Sequence, residues 1–135
     1  MKKILFVIAI FLTAGNAVLF SGTAEEFRSL SLVALLSDPG KWDGESIVTS
    51  GFLVSSNRGR MIFLGEDDAK NLLIENAIAV VPSGNSVNIE SSLQELAGGY
   101  VRIRAIFKKY DPSRVIEAPL KGCLLAVEVV RPDGR

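Results

Sequence analysis

The sequence predicts a mainly β domain in which five strands form a small barrel, with one helix before the first strand and another between the third and fourth strands. Two observations predict this fold. Five segments between residues 47 and 130 alternate apolar with polar residues or are rich in β-branched and aromatic residues. Clusters of Gly, Pro, Asn and Asp separate these segments, as expected of turns.

Each element can be placed from its local pattern. A helix is predicted over residues 25–37, because Phe27, Leu30, Val33 and Leu36 form an apolar stripe that Pro39 ends. The predicted strands are 47–55, 60–64, 77–81, 100–107 and 123–130, with a short helical turn over 69–73, a helix over 89–96 and a long loop over 109–122.

The fourth predicted strand has the clearest alternation. Its apolar residues Val101, Ile103, Ala105 and Phe107 share one face, and the other face carries Tyr100, Arg102, Arg104 and Lys108. Gly51 lies inside the first predicted strand, where a glycine indicates a bulge or a sharp bend.

Three strands, a helix and two further strands follow one another in the order of the OB-fold, a partly open Greek-key barrel. A small β-sandwich or another α+β sheet is the alternative. An immunoglobulin-like sandwich would need about seven strands, and the sequence predicts five.

Two motifs carry a resemblance to a known group of proteins. They are Leu35-Leu36-x-x-Pro39-x-x-Trp42-x-Gly44-x-x-Ile47-x-x-x-Gly51 and Leu96-x-Gly98-x-Tyr100-Val101. Over residues 31–130 the chain resembles small exported bacterial OB-fold proteins, some of which are suspected immunity proteins that neutralise antibacterial toxins in the periplasm. The resemblance implies a fold and a class of function, and it carries over no functional residues.

Residues 1–24 have the features of a secretory signal peptide. Lys2 and Lys3 precede an apolar run over residues 4–12, and small residues follow. Cleavage is expected after Ala24, with Ala17 as an alternative site. The run over residues 4–20 could instead remain as an uncleaved anchor, but Gly15 and Asn16 interrupt it, and a spanning helix needs about 20 apolar residues.

Cleavage leaves a single domain over residues 25–135, which is expected in the periplasm or outside the cell. The only cysteine is Cys123, so no bacterial lipid anchor, which needs a cysteine at the processing site, and no internal disulfide are expected. A buried, inert thiol is the simplest interpretation of Cys123, and a disulfide between chains is the alternative.

Composition and motifs argue against most catalytic chemistry. The chain has no histidine, which excludes histidine bases and histidine-ligated metals. No Ser-x-x-Lys motif is present. The acidic run Glu66-Asp67-Asp68 lacks the EF-hand spacing, and Gly98-Gly99 lacks the context of a phosphate loop. We therefore expect no enzymatic activity, no cofactor and no metal.

Basic residues form the one pattern that suggests a binding surface. In an OB-fold, Arg58 and Arg60 would lie in the loop between the first two strands, and Arg102 and Arg104 on the outward face of the fourth. The candidate surface comprises Arg58, Arg60, Arg102, Arg104, Lys108, Lys109, Tyr110 and Arg114. Lys108, Lys109 and Arg114 are expected in the loop between the last two strands.

The nature of the ligand follows from charge and aromatic content. The chain has 15 basic and 15 acidic residues, and removal of Lys2 and Lys3 makes it slightly acidic, which argues against nucleic acid. Only Phe63 and Tyr110 are candidates for base stacking, and Phe63 could belong to the core.

The sequence therefore predicts an exported, non-enzymatic module that binds a protein partner of unknown identity, of the inhibitor or immunity type. The alternative is a ligand-binding OB module for oligosaccharide or single-stranded nucleic acid.

Overall fold

The computed structural model describes residues 26–57, 59–84, 87–109 and 120–133. The predicted signal peptide over residues 1–24 lies outside the described residues. The described elements are β1 (Arg28–Ser29), α1 (Leu32–Ser37), a 3₁₀ helix (Pro39–Trp42), β2 (Ser46–Ser56), β3 (Gly59–Phe63), α2 (Glu66–Lys70), a second 3₁₀ helix (Ile74–Asn76), β4 (Ala77–Pro82), α3 (Val87–Leu96), β5 (Gly99–Lys109) and β6 (Gly122–Val130).

Strands β2 to β6 close into a five-stranded mixed barrel. Antiparallel pairing joins β2 to β3 and β3 to β4, and a parallel pairing joins β4 to β6. Strand β6 pairs antiparallel with β5, and β5 returns to pair antiparallel with β2, which completes the ring. The five-stranded OB-fold-like barrel with α3 between its third and fourth strands is thus confirmed.

The first half of the predicted N-terminal helix is wrong. Arg28 and Ser29 form β1, which pairs in parallel with Ile47 and Val48 of β2. Strand β3 pairs with β2 only from Phe52 onward, so the start of β2 offers free backbone groups that β1 satisfies. Pairing with the sheet therefore overrides the helical periodicity of this segment.

Helix α1 begins after that pairing ends. The hydroxyl of Ser31 accepts a hydrogen bond from the Ala34 N–H at 3.1 Å, which caps the helix start. Its buried side chains Leu32, Leu35 and Leu36 join the barrel core.

Gly51 lies where β2 changes partners. Strand β5 pairs with β2 up to Leu53, and β3 takes over from Phe52. A Cβ atom on Gly51 would lie 2.5 Å from the Phe63 carbonyl oxygen and 2.7 Å from Leu32 Cδ1. The glycine at this position permits the close approach of β3 and α1. The irregularity of strand register falls elsewhere, between Arg104 and Ala105.

The main core fills the barrel. It unites inward-facing residues of all five barrel strands with α1 and with Leu93 of α3. Thr49 is the buried polar residue of this region, and in the described part of the chain its hydroxyl has no hydrogen-bond partner. No helix among the described ranges is long and apolar enough to cross a lipid bilayer.

Candidate functional site

Strand β5 presents two chemically different faces. Val101, Ile103, Ala105 and Phe107 are fully buried inside the barrel. The alternate residues Tyr100, Arg102, Arg104 and Lys108 are exposed on the outside. The alternation predicted from sequence is therefore correct, and it places three cations along one outward row.

A shallow groove of about 440 Å³ lies over the middle of this row. Ser29, Val48, Arg102, Arg104, Glu128 and Val130 line it. In the barrel register, Val48 and Glu128 flank Arg104, while Ser50 and Val130 flank Arg102. The groove therefore has a floor of small and β-branched side chains, around which stand two guanidinium groups and the Glu128 carboxylate.

The two arginines of the groove differ in their contacts. The guanidinium of Arg104 forms a 3.3 Å ion pair with Glu128 and lies 5.0 Å from the centre of the Phe27 ring. Both side chains of the ion pair are about half exposed. No ion pair is present at Arg102 within the described ranges, so its charge is directed to the solvent.

Arg60 does not belong to this surface, contrary to the sequence prediction. It lies inside β3, opposite Ser55 and Val80, rather than in the preceding loop. Its side chain is only 17% exposed and forms a bidentate ion pair with Glu90 of α3. The Arg60 Nε is buried without a hydrogen-bond partner in the described structure. Arg60 therefore joins β3 to α3, apart from the outward row of β5.

Lys108 and Lys109 end β5 rather than lying in a loop. Hydrogen bonds explain why β5 extends this far, because residues of the turn before β2 continue the pairing between β2 and β5. The Lys109 N–H donates to Asp43 Oδ1 at 2.7 Å, and the Phe107 N–H donates to the Glu45 carbonyl at 2.9 Å. The Asp43 carboxylate thus fixes the end of β5, while both lysine side chains remain exposed.

Arg58, Tyr110 and Arg114 lie outside the described residues. Of the eight predicted site residues, the structure brings Arg102 and Arg104 together in one groove. Lys108 continues their row.

The sequence analysis missed the two residues whose side chains contact Arg104. Phe27 was assigned to a helical stripe, although it leads into β1 and its ring lies beside Arg104. Glu128 faces outward in the last strand, opposite Arg104. The alternation of the last strand could have placed Glu128 on the outside. Its pairing with Arg104, however, depends on the irregularity between β5 and β6, and no sequence pattern predicts that irregularity.

A second apolar cluster lies on the outside of β2, β3 and β4. It consists of buried Phe63, Ala69 and Ala77 with partly buried Phe52, Val54, Met61 and Leu120. Phe63 is fully buried, so it cannot stack on a base without rearrangement. Beside it, the Tyr100 ring meets Phe52 edge to face at 5.1 Å, and its hydroxyl accepts a hydrogen bond from the Glu66 N–H.

The Cys123 side chain is partly buried, as a free thiol, next to Ala79 and Lys108 in the sheet. Burial raises the pKa of this thiol, which keeps it protonated and poorly nucleophilic at neutral pH. No group of three or more His, Cys, Asp or Glu residues arranged to hold a metal ion occurs in the described portion of the chain.

The chain is therefore a five-stranded OB-fold-like barrel with a basic groove on its outer face. No protein-family model matches it, and no curated protein matches it significantly.

The solved structures with distant similarity include the following three. "OBody AM3L09 bound to hen egg-white lysozyme" is 16% identical, covering 67% of this chain and 83% of its own, with a TM-score of 0.45. "OBody AM2EP06 bound to hen egg-white lysozyme" is 14% identical, covering 68% and 83%, with a TM-score of 0.46. A putative aspartyl-tRNA synthetase from Leishmania major Friedlin is 9% identical, covering 83% and 22%, with a TM-score of 0.47.

Proposed function

We propose that this chain is an exported, non-enzymatic module that binds another protein through the outward face of β5, and that it acts by covering its partner, as an inhibitor or an immunity protein does. The observation that carries the proposal is the groove in which Arg102 and Arg104 stand side by side over a floor of small residues. Arginine is among the residues that most often dominate binding energy at protein interfaces.

The rest of the surface favours a protein partner over a single-stranded nucleic acid. Base stacking needs exposed aromatic faces, but Phe63 is buried, and the half-exposed Tyr100 ring already packs edge to face against Phe52. The acidic residues Glu66, Asp67 and Asp68 border the same side of Tyr100 and would repel a phosphodiester backbone. A protein partner needs no base stacking, and it can present a few carboxylates to the arginines alone, away from these acidic residues.

The test is capture of a partner by tagged full-length chain from a nuclease-treated periplasmic fraction, followed by mass spectrometry. Three forms are compared: the wild type, Arg102→Glu/Arg104→Glu, and a control with the same change in charge, Lys70→Glu/Lys121→Glu. We expect the wild type and the control to retain one stoichiometric protein that the arginine variant loses. Thermal unfolding of all three forms shows whether they are folded.

Equal capture by the arginine variant would move the interface away from β5. Selective retention of single-stranded oligonucleotide or oligosaccharide by purified wild type, with no protein partner, would replace the proposed function.

A further inference from the structure

We infer that the groove on β5 recognises an extended acidic segment of its partner in which carboxylate side chains alternate with small or polar residues. This inference rests on the proposed function and adds the chemical form of the partner. It follows from three observations: the spacing of the cations, the short side chains on the floor of the groove, and the ion pair that occupies Arg104 but not Arg102.

The spacing comes from the strand itself. Arg102 and Arg104 are two residues apart on one strand and face the same side, so their Cα atoms are separated by about 7 Å. An extended peptide also places side chains on one face about every 7 Å. Two carboxylates at positions i and i+2 of such a peptide therefore match the two guanidinium groups, whereas carboxylates at i and i+1 point to opposite sides.

The floor of the groove admits such a chain. Ser29 and Val48 line it beside the arginines, and Ser50 lies opposite Arg102 in the register. None of these side chains is long enough to fill the space in front of the guanidinium groups. Farther along β5, Ile106 is partly exposed and Lys108 supplies a third cation, so the row offers contacts to a segment longer than the groove.

Glu128 regulates the second position. Its carboxylate already pairs with Arg104 at 3.3 Å, so it competes with an incoming carboxylate for that guanidinium. Among the described residues Arg102 has no such competitor, and it is the first anchor. The ring of Phe27, 5.0 Å from the Arg104 guanidinium, keeps that group over the groove by a cation–π contact and leaves its N–H groups free to exchange Glu128 for the ligand.

The experiment measures binding of fluorescent nine-residue peptides to the whole chain by anisotropy at low salt. One peptide carries three Glu residues alternating with Thr, and in a second peptide of the same composition the three Glu residues are three positions apart, so that no two of them lie at i and i+2. We expect the alternating peptide to bind about fivefold more tightly, since one exposed ion pair changes affinity by up to about that factor.

Two substitutions test the roles of the individual residues. Arg102→Gln should weaken the alternating peptide about fivefold and remove its advantage over the peptide that lacks an i/i+2 pair. Glu128→Gln should tighten binding, because it frees Arg104. Glu75→Gln, the same change in charge away from the groove, should leave affinity nearly unchanged.

Equal affinity for the two peptides would overturn the inference, and so would equal effects of Glu128→Gln and Glu75→Gln. Tighter binding of an oligothymidylate through the same arginines would also overturn it. If a protein partner depends on Arg102 and Arg104 in the capture experiment while the peptides show no preference, this inference fails and the proposed function stands.

Discussion

The two faces of β5 have the same backbone and the same sheet neighbours but opposite surroundings. Inward, Val101, Ile103 and Phe107 are fully buried in the barrel. Outward, Arg104 contacts one carboxylate and one aromatic ring at the surface, and Arg102 is exposed to the solvent. The comparison separates the residues that stabilise the barrel from those that can contact a partner, because stability depends on burial and binding depends on exposed charge.

The largest expected effect is on the inward face. Phe107→Ala removes a fully buried ring and should lower the free energy of unfolding by about 3–5 kcal/mol. Its neighbour Lys108 points outward, and Lys108→Ala should change the same quantity by less than about 0.5 kcal/mol. Urea denaturation of both variants measures the difference, and losses of similar size would show that the outward face also supports the fold.

The next effect concerns the point where β2 meets the inward face of β5. Gly51 pairs with Val101, and the Cβ of Gly51→Ala would clash with the Phe63 backbone, for an expected loss of about 1–3 kcal/mol. Gly99, also in a barrel strand, is the matched control. Its added Cβ would meet nothing closer than 3.9 Å, so Gly99→Ala should not lower the thermal midpoint comparably.

A smaller effect is expected on the outward face. Arg104 and Glu128 form an exposed pair, whose coupling energy should be about 0.2–1 kcal/mol and should decrease in high salt. A double-mutant cycle with Arg104→Ala and Glu128→Ala measures it. A larger coupling that resists salt would mean that this pair contributes to the fold as the inward face does.

The last expected effect is a pH dependence of stability, which appears only above neutral pH. Burial raises the pKa of the Cys123 thiol in the folded chain, so the unfolded chain ionises first as the pH rises past the ordinary cysteine pKa of about 8.5. Stability from this group is fully present below that pH and is lost as the pH rises through the folded pKa. The stability of wild type should therefore fall relative to Cys123→Ala between pH 8 and strongly basic solution, and parallel curves would contradict this.

The sequence predicted the barrel better than it predicted the site. Strands such as β5 follow from alternation alone, because burial of one face fixes which residues point inward. Two features of the structure could not be predicted from the sequence, and the reason is the same for both. The pairing of Arg28 with Ile47 and the ion pair of Arg60 with Glu90 both join segments distant in sequence, and no local pattern encodes such contacts.

Arg102 and Arg104 could be found because their exposure follows from alternation within one strand. Glu128 and Phe27 could not be assigned to them, since their placement depends on the β5–β6 register and on β1.

Closure of the ring also sets the order in which the chain can fold as it is synthesised. The β2–β3 and β3–β4 pairings are local and can form early, but β2 completes its pairing only with β5, and β4 only with β6. A growing chain that ends before β5 therefore leaves one edge of β2 unpaired, and one that ends before β6 leaves one edge of β4 unpaired. The ring therefore stays open, and the core is not enclosed on all sides, until the last strand is made.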